Sequence, residues 1–286
     1  MLGFVNVIKP TGVSSGYVVN KIKYLTKEKV GHLGTLDPLA SGVLPIAVGK
    51  ATRFFDYFLN KDKKYFALIK FGVLTDTLDA EGKIVDKKKA NITLKQLQES
   101  VVEFLGETKQ IPPIYSARSK DGVRGYQAAL KNKNIQLDSK IVNIYSIDVN
   151  DWHEENVFSL TIHCSSGTYV RSLLRDIGEK LNTVATTVAI IRLKSGPFKL
   201  EDAVTLEDLE QNANDCLIGV EEVINKPRVD LSIEEAQALY SGKIIDFKRE
   251  NGEYLCFYNN EIFSLANCED QKLKNKIYLY EKEKVW

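Results

Sequence analysis

The chain opens with a short apolar run, GFVNVI (3–8), that predicts a buried strand. Ser14 or Ser15 then stands where a helix N-cap is needed, ahead of Val18, Val19, Ile22 and Leu25 on one helical face. LPIAV (44–48) predicts a second buried strand, followed by an amphipathic stretch around 54–59. YFALIKFG (65–72) predicts a strand, and TDTLDAEG (75–82) an acidic turn. Thr93 and Gln96 form a capping box before a helix with Leu94, Leu97, Val101 and Leu105 along one side. IVNIYSIDV (141–149) and VFSLTIHC (157–164) alternate as strands do. On the second of these, Phe158, Leu160, Ile162 and Cys164 share a face, and His163 lies on the other as a plain sheet-surface histidine. Gly167-Thr168 opens a helix striped with Leu173, Leu174, Ile177 and Leu181, on which Arg171 and Arg175 sit one above the other.

Strands and helices mix here without regular βαβ spacing. That predicts an α+β fold with a largely antiparallel sheet and flanking helices. The texture changes near NKPRVD (225–230). Ser232 and Glu235 form a further capping box, Gly242 marks a helix stop, and three short strand-like runs follow at 254–258, 261–266 and 276–280. We place a boundary near 228, giving a larger unit over 1–228 and a small β-rich one over 229–286. A length of 286 residues suits one large domain or two.

Composition sharpens this only locally. The net charge is +1, but Lys9, Lys21, Lys23, Lys27 and Lys29 face only Glu28 within 9–29. Arg118, Lys120, Arg124, Lys131 and Lys133 face only Asp121 within 118–133. Two basic patches on a near-neutral chain suit contact with phosphates through part of the surface. No run of about 18 apolar residues exists, which excludes a helical membrane span. The N-terminus lacks the pattern of a signal peptide, so the cytoplasm is the expected compartment. Cys164, Cys216, Cys256 and Cys268 are scattered and form no zinc-ligand spacing, so reduced thiols are expected.

One segment stands apart. GHLGTLDPLASGVLP (31–45) holds a single formal charge, Asp37, among Gly31, Gly34 and Gly42. An Asp-Pro turn alone would explain the dipeptide. The glycines, however, let backbone approach a ligand closely, and Leu36 and Leu39 place the carboxylate at the edge of an apolar cleft. Such a group costs several kcal/mol to desolvate unless paired. Arg171, just inside a helix opening with Gly-Thr-Tyr, is the best candidate partner, and the pairing would keep Asp37 ionised and nucleophilic.

GHLGTLDPLASGVLP closely resembles the catalytic motif of the TruB-type tRNA pseudouridine synthases, enzymes that act on uridine 55 of the T loop. Further blocks resemble the family in its own order. They are VIKPTGVSS (7–15), KKYFALIKFGVLTDTLDAEG (63–82), IPPIYSARSKDGVRGYQAA (111–129) and HCSSGTYVRSLLRDIGEKL (163–181). Residues 229–286 resemble, more loosely, the small PUA domain that often follows. The resemblance implies that Asp37 is the catalytic carboxylate and Arg171 its salt-bridge partner. Tyr65 would pack on the target uracil and is a candidate for further chemistry. His32 would help hold the everted loop open, Tyr169 and Ile190 would line the pocket, and Lys9 would support the active-site loop and count among the substrate-binding groups. Arg118, Lys120 and Arg124, in an RNA-binding insertion at about 110–138, would grip the tRNA. Ile191 stands where many relatives carry a second arginine.

The implied reaction breaks the C1′–N1 bond of uridine and joins C1′ to C5. It calls for a flipped base, no cofactor, no metal, and a monomer acting on the T arm. Its need for one carboxylate would account for the isolation of Asp37, since a second acid beside it would repel it. Two other classes compete: a non-catalytic tRNA-binding or RNA-chaperone protein, and a glycoside hydrolase using Asp37 with Asp76 or Asp79.

Overall fold

The computed structural model describes residues 2–115, 119–120, 123–124 and 137–280. Its central strand is β4 (Lys63–Phe71), whose alternate residues Tyr65, Ala67 and Ile69 are buried on one side. β11 (Val157–Cys164) and β12 (Ala185–Ser195) bond to its two edges, both antiparallel. The sheet continues through β10 (Lys140–Asp151) and β7 (Gly106–Gln110) on one side, and through β3 (Ser41–Val48) and β1 (Gly3–Lys9) on the other. β2 (Val30–His32) adds to β3 and β13 (Phe198–Lys199) to β12, giving nine strands in the order β1-β3-β12-β4-β11-β10-β7 with those two off the path. All neighbours run antiparallel except β3 and β12, which pair in parallel through Ile191 with Ser41 and Arg192 with Gly42. The expected α+β architecture is therefore the one observed.

Helices cover the face that carries Tyr65. α1 (Ser15–Thr26) inserts Val18 and Ile22, α3 (Leu94–Val101) inserts Leu97 and Val101, and α4 (Val170–Lys180) inserts Leu173, Leu174 and Ile177 into one cluster with Ala67, Ile69, Leu160 and Ile162. The caps are those the sequence indicated: Ser14 accepts from the Tyr17 amide, and Thr93 and Gln96 close their box. Leu105 departs from the expected helical stripe. α3 ends at Val101, a 3-10 turn over Val102–Phe104 leads into β7, and Leu105 is left exposed. His163 is more than a surface histidine, since its Nε2 lies 2.7 Å from the Asp62 carboxylate that Lys194 also contacts.

Between these elements run α2 (Phe55–Leu59), the small pair β5 (Val73–Thr75) and β6 (Ile84–Lys87), and the pair β8 (Ser119–Lys120) and β9 (Val123–Arg124). Arg118 lies outside the described residues, as does most of the expected insertion. After α5 (Leu206–Asn212) and α6 (Val220–Ile224) a second sheet begins. Its strands β14 (Arg228–Asp230), β15 (Ile245–Asp246), β16 (Gly252–Tyr258), β17 (Glu261–Glu269) and β18 (Lys272–Tyr278) take the order β14-β16-β17-β18-β15. α7 (Ile233–Tyr240) is capped by Ser232, and Gly242 follows it at φ +78. Leu255, Phe257 and Leu265 of this sheet share a buried cluster with Phe4, Phe54, Phe58 and Phe198. Each such side chain contributes roughly 1.5–3 kcal/mol on full burial, enough to dock the two sheets firmly. All four cysteines are unpaired. Among the described residues no helix is long and apolar enough to cross a membrane.

Candidate active site

Asp37 sits in the loop between β2 and β3, and the surrounding side chains fix that loop by its carbonyls. The turn itself closes through the Ala40 amide, which donates to the Asp37 carbonyl at 3.1 Å. Ser15, in the first turn of α1, accepts from the Leu36 amide and donates to the Leu36 carbonyl, both at 2.9 Å. Arg192 on β12 is fully buried. Its Nη2 donates to the Gly34 carbonyl at 2.9 Å, Nη1 to Thr35 at 3.2 Å and Nε to Val43 at 2.7 Å. Beneath the loop, Lys9 Nζ donates to the carbonyls of Pro10, Val13 and Pro38 at 2.8, 2.7 and 3.2 Å. Burial pulls the Lys9 ammonium down to about 8, partly offset by the charge of Asp37. Lys9 thus ties the Pro10–Val13 turn to the Pro38 carbonyl next to Asp37. It is buried, is enclosed by backbone carbonyls and does not line the cavity.

The ion pair expected of Asp37 is present. Arg171 Nη2 lies 2.7 Å from Asp37 Oδ2. The same guanidinium donates through Nη1 to Asp79 Oδ2 at 3.2 Å and to the Thr77 carbonyl at 2.8 Å, and through Nη2 to the Tyr115 carbonyl at 3.0 Å. Asp79 is itself fixed by the Thr77 hydroxyl at 2.5 Å and the Glu81 amide at 3.2 Å. The isolation inferred for Asp37 is therefore corrected. A second carboxylate is close, but it is buried and shares the same cation, whose charge bridges the two. Arg171 has no bond to Asp176 or Glu179; Arg175 takes both.

A cavity of about 280 Å³ opens over Asp37. Tyr65, Tyr169, Arg171, Ile190 and Leu36 line it, together with Lys63 and Arg192. Strand register explains the grouping: Arg192 pairs with Tyr65 and Ile190 with Ala67, so alternate residues of β4 and β12 face the same space. Tyr65 is buried, which raises its phenol pKa and favours the neutral form, with the charge of Arg192 acting the other way. Tyr169 caps α4 and is held by the buried Gln110 amide, which accepts from the Tyr169 amide at 2.7 Å and donates to its carbonyl at 3.0 Å. His32 does not line the cavity. It lies on β2, partly buried, and burial lowers its imidazole pKa.

Three residues of this site escape the sequence reading, Arg192, Gln110 and Lys63, and Asp79 figures there only as a second catalytic acid, not as a partner of Arg171. Strand period alone could have found Arg192, two residues beyond Ile190. Lys63 Nζ donates to the carbonyls of Lys61 at 2.6 Å and Leu59 at 3.3 Å, and burial brings its ammonium down to about 8. Chemically, the arrangement offers a pinned carboxylate on the open wall of a mostly apolar pocket with an aromatic ring beside it. That suits attack on, or stabilisation of, a small planar group.

Comparison with known proteins agrees with this geometry. The model of the TruB family pseudouridylate synthase N terminal domain matches residues 22–170, and that of the tRNA pseudouridylate synthase B C-terminal domain matches 171–222. The chain is 45% identical over 214 residues to the tRNA pseudouridine synthase B of Trichormus variabilis, covering 73% of each protein. It is 37% identical to that of Francisella philomiragia over 96% of this chain and 93% of the relative. The fold matches a chain in the crystal structure of a Cbf5-Nop10-Gar1 complex with a TM-score of 0.72 at 24% identity, over 99% of this chain and 86% of that one. With both family models spanning most of the chain and relatives this similar along nearly its whole length, the chain belongs to the TruB family of pseudouridylate synthases.

Proposed function

We propose that this chain is a tRNA pseudouridine synthase that isomerises uridine 55 of the T loop, with Asp37 as nucleophile. The observation that carries the reading is the Asp37 carboxylate, pinned by Arg171 at the wall of a pocket lined by Tyr65. The target base is flipped out of the RNA into that pocket, at a cost of a few kcal/mol. Tyr65 packs on the uracil, and Tyr169 and Ile190 close its sides. The C1′–N1 bond breaks, C1′ joins C5, and the C5 proton is replaced by one at N1. Atoms and oxidation state balance within the substrate, which makes the reaction an isomerisation.

His32 lies on β2 next to Leu33, which lines the cavity, and from there it supports the everted RNA loop. Arg118, Lys120 and Arg124 grip the T arm, the enzyme acts as a monomer in the cytoplasm, and residues 229–286 form a PUA-like unit following a catalytic unit over 1–228. The docked second sheet supports that division. The test is pseudouridine mapping by carbodiimide chemistry on a tRNA transcript. Wild-type protein should modify position 55 alone, and substitution of uridine 55 should abolish the product. Replacing Arg118, Lys120 and Arg124 should weaken tRNA binding and flatten its salt dependence.

A further inference from the structure

α1 has two faces of different character. Val18 and Ile22 are buried, and Lys21 is turned to Glu210 at 2.7 Å. Tyr17, Asn20 and Tyr24 follow one another at helical spacing on the outward side, with Lys23 beside them and Lys27, the C-cap residue at φ +57, just past the helix end. Tyr17 is 50% exposed and Tyr24 72%. The Lys27 ammonium stands 3.9 Å above the Tyr24 ring, and no Asp or Glu occurs anywhere from Thr11 to Lys27. Single exposed aromatics are ordinary on a protein surface. Two on one side of a helix, interleaved with cations in a segment that carries no acid of its own, make the combination that stacks bases and neutralises phosphates.

Position gives this face its meaning. Ser15, in the first turn of α1, holds both backbone polar groups of Leu36, next to Asp37. The Gly12 amide, just before the helix, donates to the Pro38 carbonyl at 2.9 Å. The start of α1 is thus bonded to both neighbours of the catalytic carboxylate, with Tyr17 in its first turn and Tyr24 two turns further along. We infer that the Tyr17–Tyr24–Lys23–Lys27 face of α1 binds the substrate RNA strand flanking the flipped nucleotide. This rests on the functional reading above and adds a contact surface to it.

The test uses the full chain and a T-arm hairpin RNA, with affinity read by fluorescence anisotropy across a salt series. Tyr17→Ala with Tyr24→Ala should weaken binding at least about fivefold, and Tyr17→Phe with Tyr24→Phe should restore it. Lys23→Gln with Lys27→Gln should lower the slope of log Kd against log salt by about 1.5. All four sites are exposed, and melting temperatures equal to wild type will show that the variants fold. Affinities and slopes within error of a wild type that binds and converts the hairpin would overturn the inference. So would light scattering showing that the face joins two copies of the chain, with dimers lost in the tyrosine variants. A wild type that makes no pseudouridine would instead overturn the functional reading on which the inference rests.

Discussion

Asp37 and Arg171 meet at 2.7 Å with unequal exposure: the carboxylate side chain is 37% exposed and the guanidinium 5%. The cation lies behind the acid and holds it toward the cavity without occupying that space. Arg171→Met would leave Asp79 buried without its cation, and breaking such a pair costs about 3–5 kcal/mol. The lower end is expected, because water already screens Asp37. Arg171→Lys places a point charge where a fork is needed, so turnover should fall about 100-fold or more with a smaller loss of stability. Urea unfolding and single-turnover pseudouridine formation separate the two effects.

Asp79→Asn tests whether the second carboxylate matters to the first. The amide preserves shape but removes the charge opposite Arg171 Nη1. A fall of about tenfold or more in the single-turnover rate is expected, with tRNA affinity held within a few-fold. A wild-type rate would show that Asp79 serves the acidic turn alone.

Arg192→Met should destabilise by about 2–4 kcal/mol, since the Val43 carbonyl loses its donor inside the protein and those of Gly34 and Thr35 lose theirs nearer the surface. The Asp37 loop loosens with it, so activity should fall even at temperatures where the variant is folded. Urea midpoints and initial rates at 20 °C below the melting point give both readings.

Gly42→Ala probes the parallel pairing of β3 and β12. Gly42 has φ +98, and a Cβ there would stand 2.4 Å from the Arg192 carbonyl oxygen. Backbone on both sides leaves nothing flexible to yield. A loss of at least about 2 kcal/mol is expected in denaturant unfolding.

Much of this was legible in the chain, and what was not has a physical reason. Ser14, Thr93 and Ser232 announce their helices because capping is local chemistry. The partnership of Asp37 with Arg171 could be posed from an unpaired charge and a helix opening. The role of Asp79 could not, because an acidic turn looks solvated until β4, β12 and α4 bring it under a guanidinium. Arg192 reads as an ordinary basic residue in IIRLKSG, and only its register opposite Tyr65 turns it inward. Leu105 shows the converse, a helical pattern cut short when α3 tightens into a 3-10 turn over Val102–Phe104 and the chain enters β7 at Gly106.

Lys63 predicts a pH dependence. Burial brings it to about 8 in the folded chain, below the 10.5 of an unfolded lysine. Between those values the unfolded chain binds more protons, so stability rises with pH. The contribution is fully present above 10.5 and is lost as pH falls through 8. Wild type should therefore gain on Lys63→Met by about 1–3 kcal/mol between pH 7.5 and 10.5, read as the change in their difference in urea midpoints.

The most direct measurement compares wild type with Asp37→Asn on one tRNA transcript, mapping pseudouridine at position 55 and measuring tRNA affinity in parallel. Wild type should convert uridine 55 fully, and Asp37→Asn should give no product while its Kd stays within a few-fold. Product from the asparagine variant at a wild-type rate, or none from wild type, would contradict the assignment of Asp37 as the catalytic carboxylate.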